Sequence, residues 1–418
     1  MHDFQYKNGE LYCEGVKVSA IAKKVGTPVY IYSHTTLVEH FCKIRAAFSE
    51  IDPIICFAMK ANSNLAILKA LVNEDAGFDI VSGGELKKAK MVKADMRKVA
   101  FASVGKTEGE IIEAIKAGIL LFNVESKPEL LNINRIAARL KKTVQVALRI
   151  NPDIEAPTHA KISTGSLKNK FGIDLKTARQ IFLDQKAYKY LKINGVHIHI
   201  GSQITKAAPF LRAIEKALAF IDDLEMDGVR IDYFDIGGGL GIVYKDENPQ
   251  TAKQYADKVL PLLRGRKFKV LMEPGRFIVG NAGIFITTKL YLKDNGVKKF
   301  MIVDAGMNDL VRPSMYGAYH EIIPVKKSAV GKVTVDVVGP ICESGDTFAF
   351  DRKLPDIQDG EYLALLSAGA YGYAMASNYN VRPRAAEVMV KGHQWAIIQE
   401  RETFKDLVAG SKLPGFLK

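Results

Sequence analysis

Residues 54–64 read IICFAMKANSN, an unbroken apolar run that ends on Lys60. A run of this length is typical of a parallel strand that is buried on both faces. The Asn-Ser-Asn that follows supplies turn and N-cap chemistry before the helical pattern of residues 65–71. Lys60 is therefore predicted where a buried strand opens into a loop. Burial favours the neutral amine, which attacks carbonyl groups, although most lysines at such positions are salt-bridged or reach solvent.

The strand of residues 54–60 is the first of eight similar strands. The other apolar runs are residues 77–82, 99–103, 120–124, 144–151, 193–201, 231–238 and 269–276. Segments with helical periodicity separate them, at residues 64–74, 84–95, 107–117, 126–141, 175–190, 206–226 and 251–266. Strands that alternate with helices require parallel pairing, and eight repeats close a (β/α)8 TIM barrel. The competing fold is an open, doubly wound sheet.

Polar residues at the ends of these strands favour the barrel. They are Lys60, Asp79, Ser103, Arg149, His199, Gly237, Gly238, Gly239, Glu273 and Arg276. In a barrel, the carboxyl ends of all strands converge on one mouth, which is where active sites lie. The sequence therefore predicts that these residues share a site.

The pattern changes after Arg276 to short β-rich runs separated by Gly, Asp and Pro turns. Such runs are typical of an antiparallel barrel or sandwich. The predicted fold class is thus α/β plus all-β, with a TIM barrel over residues 27–277. Residues 1–26 and 278–418 are predicted to form the β-rich domain, because the first 26 residues are themselves strand-like.

Composition argues against several classes of protein. The net charge of +13 is dispersed along the chain, so we expect no nucleic-acid partner. No segment reaches the apolar length of a membrane span, and the first ten residues lack the apolar core of a signal peptide, so we expect a cytoplasmic protein with no membrane partner. The four cysteines show no CxxC spacing and are expected to be free thiols; they are Cys13, Cys42, Cys56 and Cys342.

Three motifs at the predicted mouth carry chemistry. DIGGGLG, residues 235–241, lets backbone N–H groups close around a phosphate, although it does not match the dinucleotide fingerprint and a flexible turn is the alternative. EPGR places Glu273 and Arg276 together, either for ligand recognition or as a local salt bridge. HIHIGS places His197 and His199 on one face of a strand, and since no third ligand is obvious we predict no metal site.

This combination of amine, glycine cradle, imidazole, carboxylate and guanidinium fits pyridoxal 5′-phosphate. Lys60 would form the Schiff base with the cofactor, and Glu273 would keep the pyridine nitrogen protonated. His199 would stack on the ring face. A small-molecule substrate with an amino group is therefore expected.

The chain resembles the diaminopimelate decarboxylases, which are barrel-type pyridoxal phosphate enzymes related to alanine racemase. The resemblance runs nearly end to end and is carried by the motifs MKAN, GFDIVSGGEL, KISTGSLKNKFGI, HIHIGSQI, DIGGGLGI, EPGRFIVGNAG, MNDLVRPSMYGAYH, GPICESGDTFA and GAYGYAMASNYN. The later motifs distinguish this family from ornithine and arginine decarboxylases, which share the earlier ones.

The resemblance implies a role for each matched residue. The cofactor would be bound by Lys60, Asp79, His199, Ser202, Gly237, Gly238, Gly239, Glu273, Gly275, Arg276 and Tyr371. The distal amino-acid end of the substrate would be bound by Arg276, Arg312, Tyr316, Glu343 and Tyr371. Lys60, His199 and Cys342 would be catalytic, with Cys342 delivering a proton after carbon dioxide leaves. Because Cys342 and Glu343 enter the site from a second subunit in this family, the resemblance also implies a homodimer.

The expected reaction is decarboxylation of meso-2,6-diaminopimelate to L-lysine, the last step of lysine biosynthesis. The nearest alternatives are decarboxylases for carboxynorspermidine or for a D-amino acid. A racemase of the same fold is disfavoured because it needs no recognition of a distal amino-acid group. The alternative from a different class is a non-catalytic pyridoxal phosphate-binding protein. We also predict that residues 161–170 close over bound substrate.

Overall fold

The computed structural model describes residues 3–154, 170–327 and 331–417 of the 418-residue chain. It divides into two compact units. The first comprises Val38–Val243 and Glu247–Ile278, and the second comprises Met1–Leu37, Tyr244–Asp246 and Val279–Lys418. The segment predicted to close over substrate lies outside the described residues, except for its last residue, Lys170. Within the described ranges, no helix is long and apolar enough to cross a membrane.

The described residues form twenty strands, numbered in chain order. They are β1 Phe4–Lys7, β2 Glu10–Cys13, β3 Val16–Lys17, β4 Val29–Ser33, β5 Ile54–Ala58, β6 Gly77–Ile80, β7 Val99–Phe101, β8 Leu121–Val124, β9 Val144–Arg149, β10 Leu191–His197, β11 Tyr233–Asp235, β12 Lys269–Met272, β13 Gly283–Asp294, β14 Lys299–Val303, β15 Ile322–Pro324, β16 Lys332–Val338, β17 Thr347–Pro355, β18 Tyr362–Leu365, β19 Ala386–Lys391 and β20 Gln394–Gln399.

The described α-helices number twelve. They are α1 Val18–Val25, α2 His34–Ala47, α3 Leu65–Asn73, α4 Gly83–Met91, α5 Glu108–Ala117, α6 Lys127–Leu140, α7 Leu175–Leu183, α8 Ala208–Met226, α9 Ala252–Leu263, α10 Arg276–Val279, α11 Arg312–Tyr316 and α12 Phe404–Val408. Six helices of the first unit begin at side-chain caps, which fix where each strand-to-helix loop ends. The capping residues are Asn64, Ser82, Thr107, Ser126, Asp174 and Thr251.

The first unit is a closed barrel of eight strands, β5 to β12, all paired in parallel. Each predicted strand and helix is present, so the TIM barrel is confirmed and the open sheet is excluded. Strands β11 and β12 are shorter than the predicted runs of residues 231–238 and 269–276, and helix α7 is also shorter than predicted. It ends at Leu183, and a 3₁₀ turn over Gln185–Ala187 follows.

The second unit contains a nine-stranded sheet with the path β17-β16-β14-β13-β4-β19-β20, onto which β18 and β15 join through β13. The sheet is mixed, because β14 pairs in parallel with β16 and β4 pairs in parallel with β19. The β-rich domain is therefore confirmed, and its sheet is mainly antiparallel with two parallel pairs. The parallel pairs arise because strands distant in sequence, joined by long connections, insert beside one another.

Strand β4 explains where the second unit begins and ends. Its five residues are all buried, because β13 flanks it on one side and β19 on the other. Residues 27–37 therefore pack with the second unit instead of the barrel, to which the sequence boundary at residue 27 assigned them. The three-stranded sheet β1-β2-β3 packs in the same unit, where the Leu11 N–H donates to the Val325 carbonyl over 2.8 Å.

Candidate active site

Lys60 lies in a 3₁₀ turn directly after β5, at the carboxyl end of the barrel. Its Nζ lies 2.7 Å from Oδ2 of Asp79 on the neighbouring β6, whose carboxylate is fully buried. Burial and the charge of Glu273 raise the pKa of Asp79 to about 6, and the Lys60 ammonium opposes this rise. The Lys60 side chain is 35% exposed, which agrees with its predicted position where a buried strand opens into a loop, and the amine reaches the mouth of the barrel.

The glycines after β11 fit tightly against the neighbouring strand ends. A Cβ on Gly238 would lie 2.0 Å from the Glu273 carbonyl oxygen, and a Cβ on Gly239 would lie 2.4 Å from that of Gly201. Gly239 also has φ +110°, a conformation that other residues rarely adopt. The run is therefore a packed turn that only glycine can form, and the reading as a flexible turn was wrong.

Glu273 is the centre of a buried polar cluster beneath the mouth. Its Oε2 lies 3.4 Å from Nε2 of His197, and its Oε1 accepts a hydrogen bond of 3.1 Å from Nδ2 of Asn123. The same Asn123 amide donates to Oδ2 of Asp235 over 3.1 Å. Strands β8, β10, β11 and the end of β12 each supply one member, so closure of the barrel creates the cluster.

Charge in this cluster is unevenly distributed. Burial alone would raise the pKa of Glu273, but the charges of His197 and Lys60 outweigh it and hold that pKa well below its ordinary range. Burial and the Glu273 charge raise the pKa of Asp235 to about 8. Burial lowers the pKa of His197, yet the two carboxylates reverse this effect and leave it raised. Of the two carboxyl groups, Glu273 is thus the one whose surroundings favour the ionised form, and Asp235 the one whose surroundings favour a proton.

His197, Asp235 and Glu273 offer ligand atoms that all lie within 4.8 Å of one another. The sequence did not anticipate this set, because its members lie on three different strands. The hydrogen-bonding pattern disfavours metal binding, since the Asn123 amide already donates to both carboxyl groups. The absence of a metal stays a prediction.

His199 lies two residues beyond the end of β10 and has different partners from His197. Its Nδ1 accepts the Gly238 N–H over 3.2 Å, which leaves Nε2 as the protonated nitrogen of a neutral ring. Burial, with the charges of Lys60 and Arg149, lowers the pKa of His199 well below its ordinary value. His197 is the last residue of β10, and the charge of Glu273 acts on the pKa of both imidazoles. That the two rings share one face stays a prediction.

Arg276 begins α10, directly after the EPG turn. Its Nη2 donates to Oγ of Ser202 over 3.1 Å, which joins two residues predicted to hold the cofactor. A Cβ on Gly275 would lie 3.1 Å from those of Ala58 and Ala61, so the turn packs closely on the Lys60 segment. The alternative of a merely local Glu273–Arg276 salt bridge is disfavoured, because His197 and Asn123 are the partners that Glu273 contacts.

The remaining predicted residues belong to the second unit. Arg312 is buried at the start of α11, where its guanidinium carbon lies 4.5 Å from the ring centre of Tyr244. Tyr316 is the last residue of the same helix and is half-buried. Tyr371 has φ +57° in the turn that precedes the 3₁₀ segment Tyr373–Met375.

Cys342 and Glu343 occupy an exposed loop between β16 and β17. The Cys342 N–H donates to Oδ1 of Asn380 over 3.0 Å, and the Tyr379 hydroxyl donates to Oε1 of Glu343 over 2.5 Å. The four cysteines are free thiols, as the sequence predicts. These contacts give the loop a defined conformation while both side chains face outward.

Sequence reasoning did not single out three residues that the structure places beside the predicted site residues. Asn123 and Asp235 contact Glu273 or its neighbours, and His320 contacts Arg312. A polar residue inside an otherwise apolar strand, as in LFNV of β8, is the signal that could have identified Asn123. The other two, Asp235 and His320, lie within the motifs DIGGGLG and MNDLVRPSMYGAYH, whose chemistry was assigned to different residues.

The barrel mouth fits pyridoxal 5′-phosphate in its donor chemistry. An amine that reaches the mouth, an ionised buried carboxylate and a glycine turn too tight for any Cβ converge within one unit. These are the groups needed for a covalent aldehyde link, a protonated pyridine nitrogen and a phosphate.

Comparisons with known proteins agree with this fit. The profile of the family described as "Pyridoxal-dependent decarboxylase, pyridoxal binding domain" matches residues 34–280. The chain is 49% identical to the diaminopimelate decarboxylase of Aquifex aeolicus, over 97% of both chains. Among solved structures, it is 39% identical to diaminopimelate decarboxylase from M. jannaschii in co-complex with L-lysine, with a TM-score of 0.95 over 100% of both chains.

A second solved relative is diaminopimelate decarboxylase from Helicobacter pylori complexed with L-lysine, at 40% identity and a TM-score of 0.90, over 94% of this chain and 98% of that one. These matches cover nearly the whole chain and therefore include residues of both units. The cofactor is therefore pyridoxal 5′-phosphate, and the chain belongs to the diaminopimelate decarboxylase family of pyridoxal-dependent enzymes.

Proposed function

We propose that this protein removes carbon dioxide from the D-configured carbon of meso-2,6-diaminopimelate to give L-lysine, the last step of lysine biosynthesis. The observation that carries this proposal is the 49% identity across both units, because the family profile alone covers only residues 34–280. Carboxynorspermidine and D-amino acid decarboxylases, as well as a non-catalytic carrier, are not favoured, since curated relatives at 45–49% identity share one activity in their names.

The barrel residues would bind the cofactor and determine its protonation. When bound, the cofactor supplies an electron-accepting ring that stabilises negative charge on the carbon losing carbon dioxide. Lys60 would hold its aldehyde, and Glu273, kept ionised by His197, would hold its ring nitrogen protonated. The glycines 237–239, Gly275 and the Ser202–Arg276 pair would hold its phosphate, with Tyr371 as a further contact. Asp79 pairs with Lys60, and neutral His199 would cover the ring face.

The second unit supplies recognition of the distal end of the substrate. A carboxylate requires a planar, forked donor, which the buried Arg312 offers. An ammonium group requires a carboxylate, which Glu343 offers. We assign Arg276, Tyr316 and Tyr371 to the same end of the substrate by their positions in the family motifs.

Cys342 is proposed to return the proton to the substrate carbon, in a homodimer whose sites are shared between subunits. The exposure of Cys342 and Glu343 supports this arrangement, because residues that complete a partner's site must face outward. Free thiols are typical of a reducing compartment, which supports a cytoplasmic location.

The decisive assay supplies the holoenzyme with meso-2,6-diaminopimelate and follows lysine and carbon dioxide. We expect equal amounts of both products. Release of carbon dioxide from carboxynorspermidine or a D-amino acid, but not from meso-diaminopimelate, would overturn the proposal.

The role of Lys60 is tested by borohydride reduction of the holoenzyme and peptide mapping. The label should appear on Lys60 and be absent from Lys60→Ala, whose kcat should fall by about 10³-fold or more. Lys69→Ala is the matched control, because Lys69 is an exposed lysine on the adjacent α3. A label on another lysine in the wild-type protein would contradict the assignment.

Shared sites are tested by mixing subunits. Lys60→Ala and Cys342→Ala homodimers should each be nearly inactive, because each lacks one proposed catalytic group in both sites. Random exchange should restore about a quarter of wild-type activity, since half the dimers are mixed and each mixed dimer has one intact site. No recovery after proven exchange would place both residues in sites built from one chain.

A further inference from the structure

His320 contacts Arg312 from within the second unit. Nη1 of Arg312 lies 2.7 Å from Nε2 of His320, and Nδ1 of His320 lies 2.8 Å from the Leu366 carbonyl oxygen. Both side chains are buried, Arg312 at 6% and His320 at 0% exposed. The two contacts lie at opposite nitrogens of one imidazole ring.

These contacts determine the protonation state of the ring. A guanidinium group only donates hydrogen bonds, so Nε2 must accept and carry no proton. A backbone carbonyl only accepts, so Nδ1 must carry the proton. His320 is therefore the neutral Nδ1–H tautomer, and its ring cannot rotate without breaking both hydrogen bonds.

Aromatic packing completes the support of Arg312. The Tyr244 ring lies 4.5 Å from the guanidinium carbon and meets the His320 ring edge-on, with 5.4 Å between centroids. The backbone carbonyl of His320 accepts a hydrogen bond of 3.2 Å from Nη1 of Arg352. His320 thus holds the Arg312 guanidinium group through a hydrogen bond, and the Tyr244 ring packs against that group.

The geometry points to His320 as a specificity-determining positioning residue, which acts by orienting Arg312 toward the substrate's distal carboxylate. This inference rests on the proposed function, because it assumes that Arg312 binds that carboxylate. Forked recognition requires the guanidinium plane to match the carboxylate plane, and a side chain with several rotatable bonds otherwise loses entropy when it is fixed. His320 removes that freedom before substrate arrives.

Two amide variants test the inference. His320→Gln places an oxygen near the position of Nε2 and retains an acceptor for Arg312. His320→Asn is one methylene shorter and places its amide near Nδ1, where it cannot reach Arg312. We expect His320→Asn to raise KM for meso-diaminopimelate and the inhibition constant of L-lysine by about 10- to 100-fold, with kcat within about threefold of wild type. We expect both constants of His320→Gln to lie much closer to the wild-type values.

Controls separate positioning from folding. His393→Asn makes the same change at an exposed histidine of the same unit and should leave KM unchanged. Melting temperature and cofactor absorbance of both variants show whether they fold and load. Equal KM values for the wild type, His320→Asn and His320→Gln would overturn the inference. An equal rise in KM for the two variants would overturn it as well. Failure of the wild-type holoenzyme to act on meso-diaminopimelate would instead overturn the proposed function.

Discussion

Asn123→Leu tests whether the buried cluster around Glu273 supports cofactor binding in addition to stabilising the fold. The Asn123 amide donates two hydrogen bonds of 3.1 Å, one to Glu273 and one to Asp235, from a fully buried position. Leucine has a similar volume and no donor. If Glu273 holds the cofactor's ring nitrogen, loss of this donor disturbs both the fold and the cofactor site.

The magnitude follows from the two lost hydrogen bonds. Each bond to a charged or partly charged carboxyl group contributes about 1.5–3 kcal/mol, so the gross loss is about 3–6 kcal/mol. Leucine recovers about 1 kcal/mol through apolar burial, because Oδ1 of Asn123 is buried without a hydrogen-bond partner among the described residues. We expect the free energy of unfolding to decrease by about 2–5 kcal/mol.

Asn194→Leu provides the matched control. Asn194 is also buried in a barrel strand, and its amide also donates two hydrogen bonds, to Gln145 over 3.0 Å and to Asp232 over 2.8 Å. Neither acceptor belongs to the Glu273 cluster. Because each variant loses two buried hydrogen bonds, denaturant unfolding should show similar decreases in the free energy of unfolding for both.

Cofactor binding distinguishes the two variants. Titration of apoprotein with pyridoxal 5′-phosphate, followed by visible absorbance, should give a dissociation constant raised about tenfold or more for Asn123→Leu, because one lost bond to Glu273 is worth at least 1.4 kcal/mol. Asn194→Leu should stay within about twofold of wild type. Equal dissociation constants for both variants would refute the role assigned to the cluster.

Three further changes test other buried groups. Burial raises the pKa of Asp309 to about 7 from an ordinary 3.8, so the folded state keeps a proton that the unfolded chain has lost. The free energy of unfolding should therefore fall as pH rises between those values, and Asp309→Asn should flatten this dependence in urea titrations at several pH values. Tyr32→Phe removes the 2.7 Å hydrogen bond to buried Glu387 and should lower the free energy of unfolding by about 1–3 kcal/mol in the same assay. Gly238→Ala should prevent cofactor loading, measured by absorbance, because its Cβ would lie 2.0 Å from the Glu273 carbonyl oxygen.

Much of the barrel could be predicted from local pattern. Apolar runs at regular spacing, separated by helical segments with polar caps, specify alternating strands and helices, and eight of them specify closure. Strand β4 shows where that reasoning ends. Its VYIYS sequence reads as a buried strand in either unit, and only its pairing with β13 and β19 assigns it to the nine-stranded sheet.

The residues of the candidate site also divide into those that the sequence predicts and those that only the folded chain brings together. Lys60, the glycine run and Glu273 stand at strand ends, so their position along the chain predicts that they meet. Asn123 lies 150 residues from Glu273, and no spacing along the chain relates the two. They meet because barrel closure brings β8 opposite the end of β12.

The sequence by itself determined the barrel, the residues at its mouth and the family to which the chain belongs, because these depend on periodicity and on residue type at given positions. The tertiary structure alone decided where protons are held: it lowers the pKa of Glu273, raises the pKa of Asp235 and, through two hydrogen bonds, places the proton of His320 on Nδ1. The physical reason is that a proton's free energy depends on burial and on charges a few ångströms away. Those neighbours come from other strands and loops, and only the folded chain brings them together.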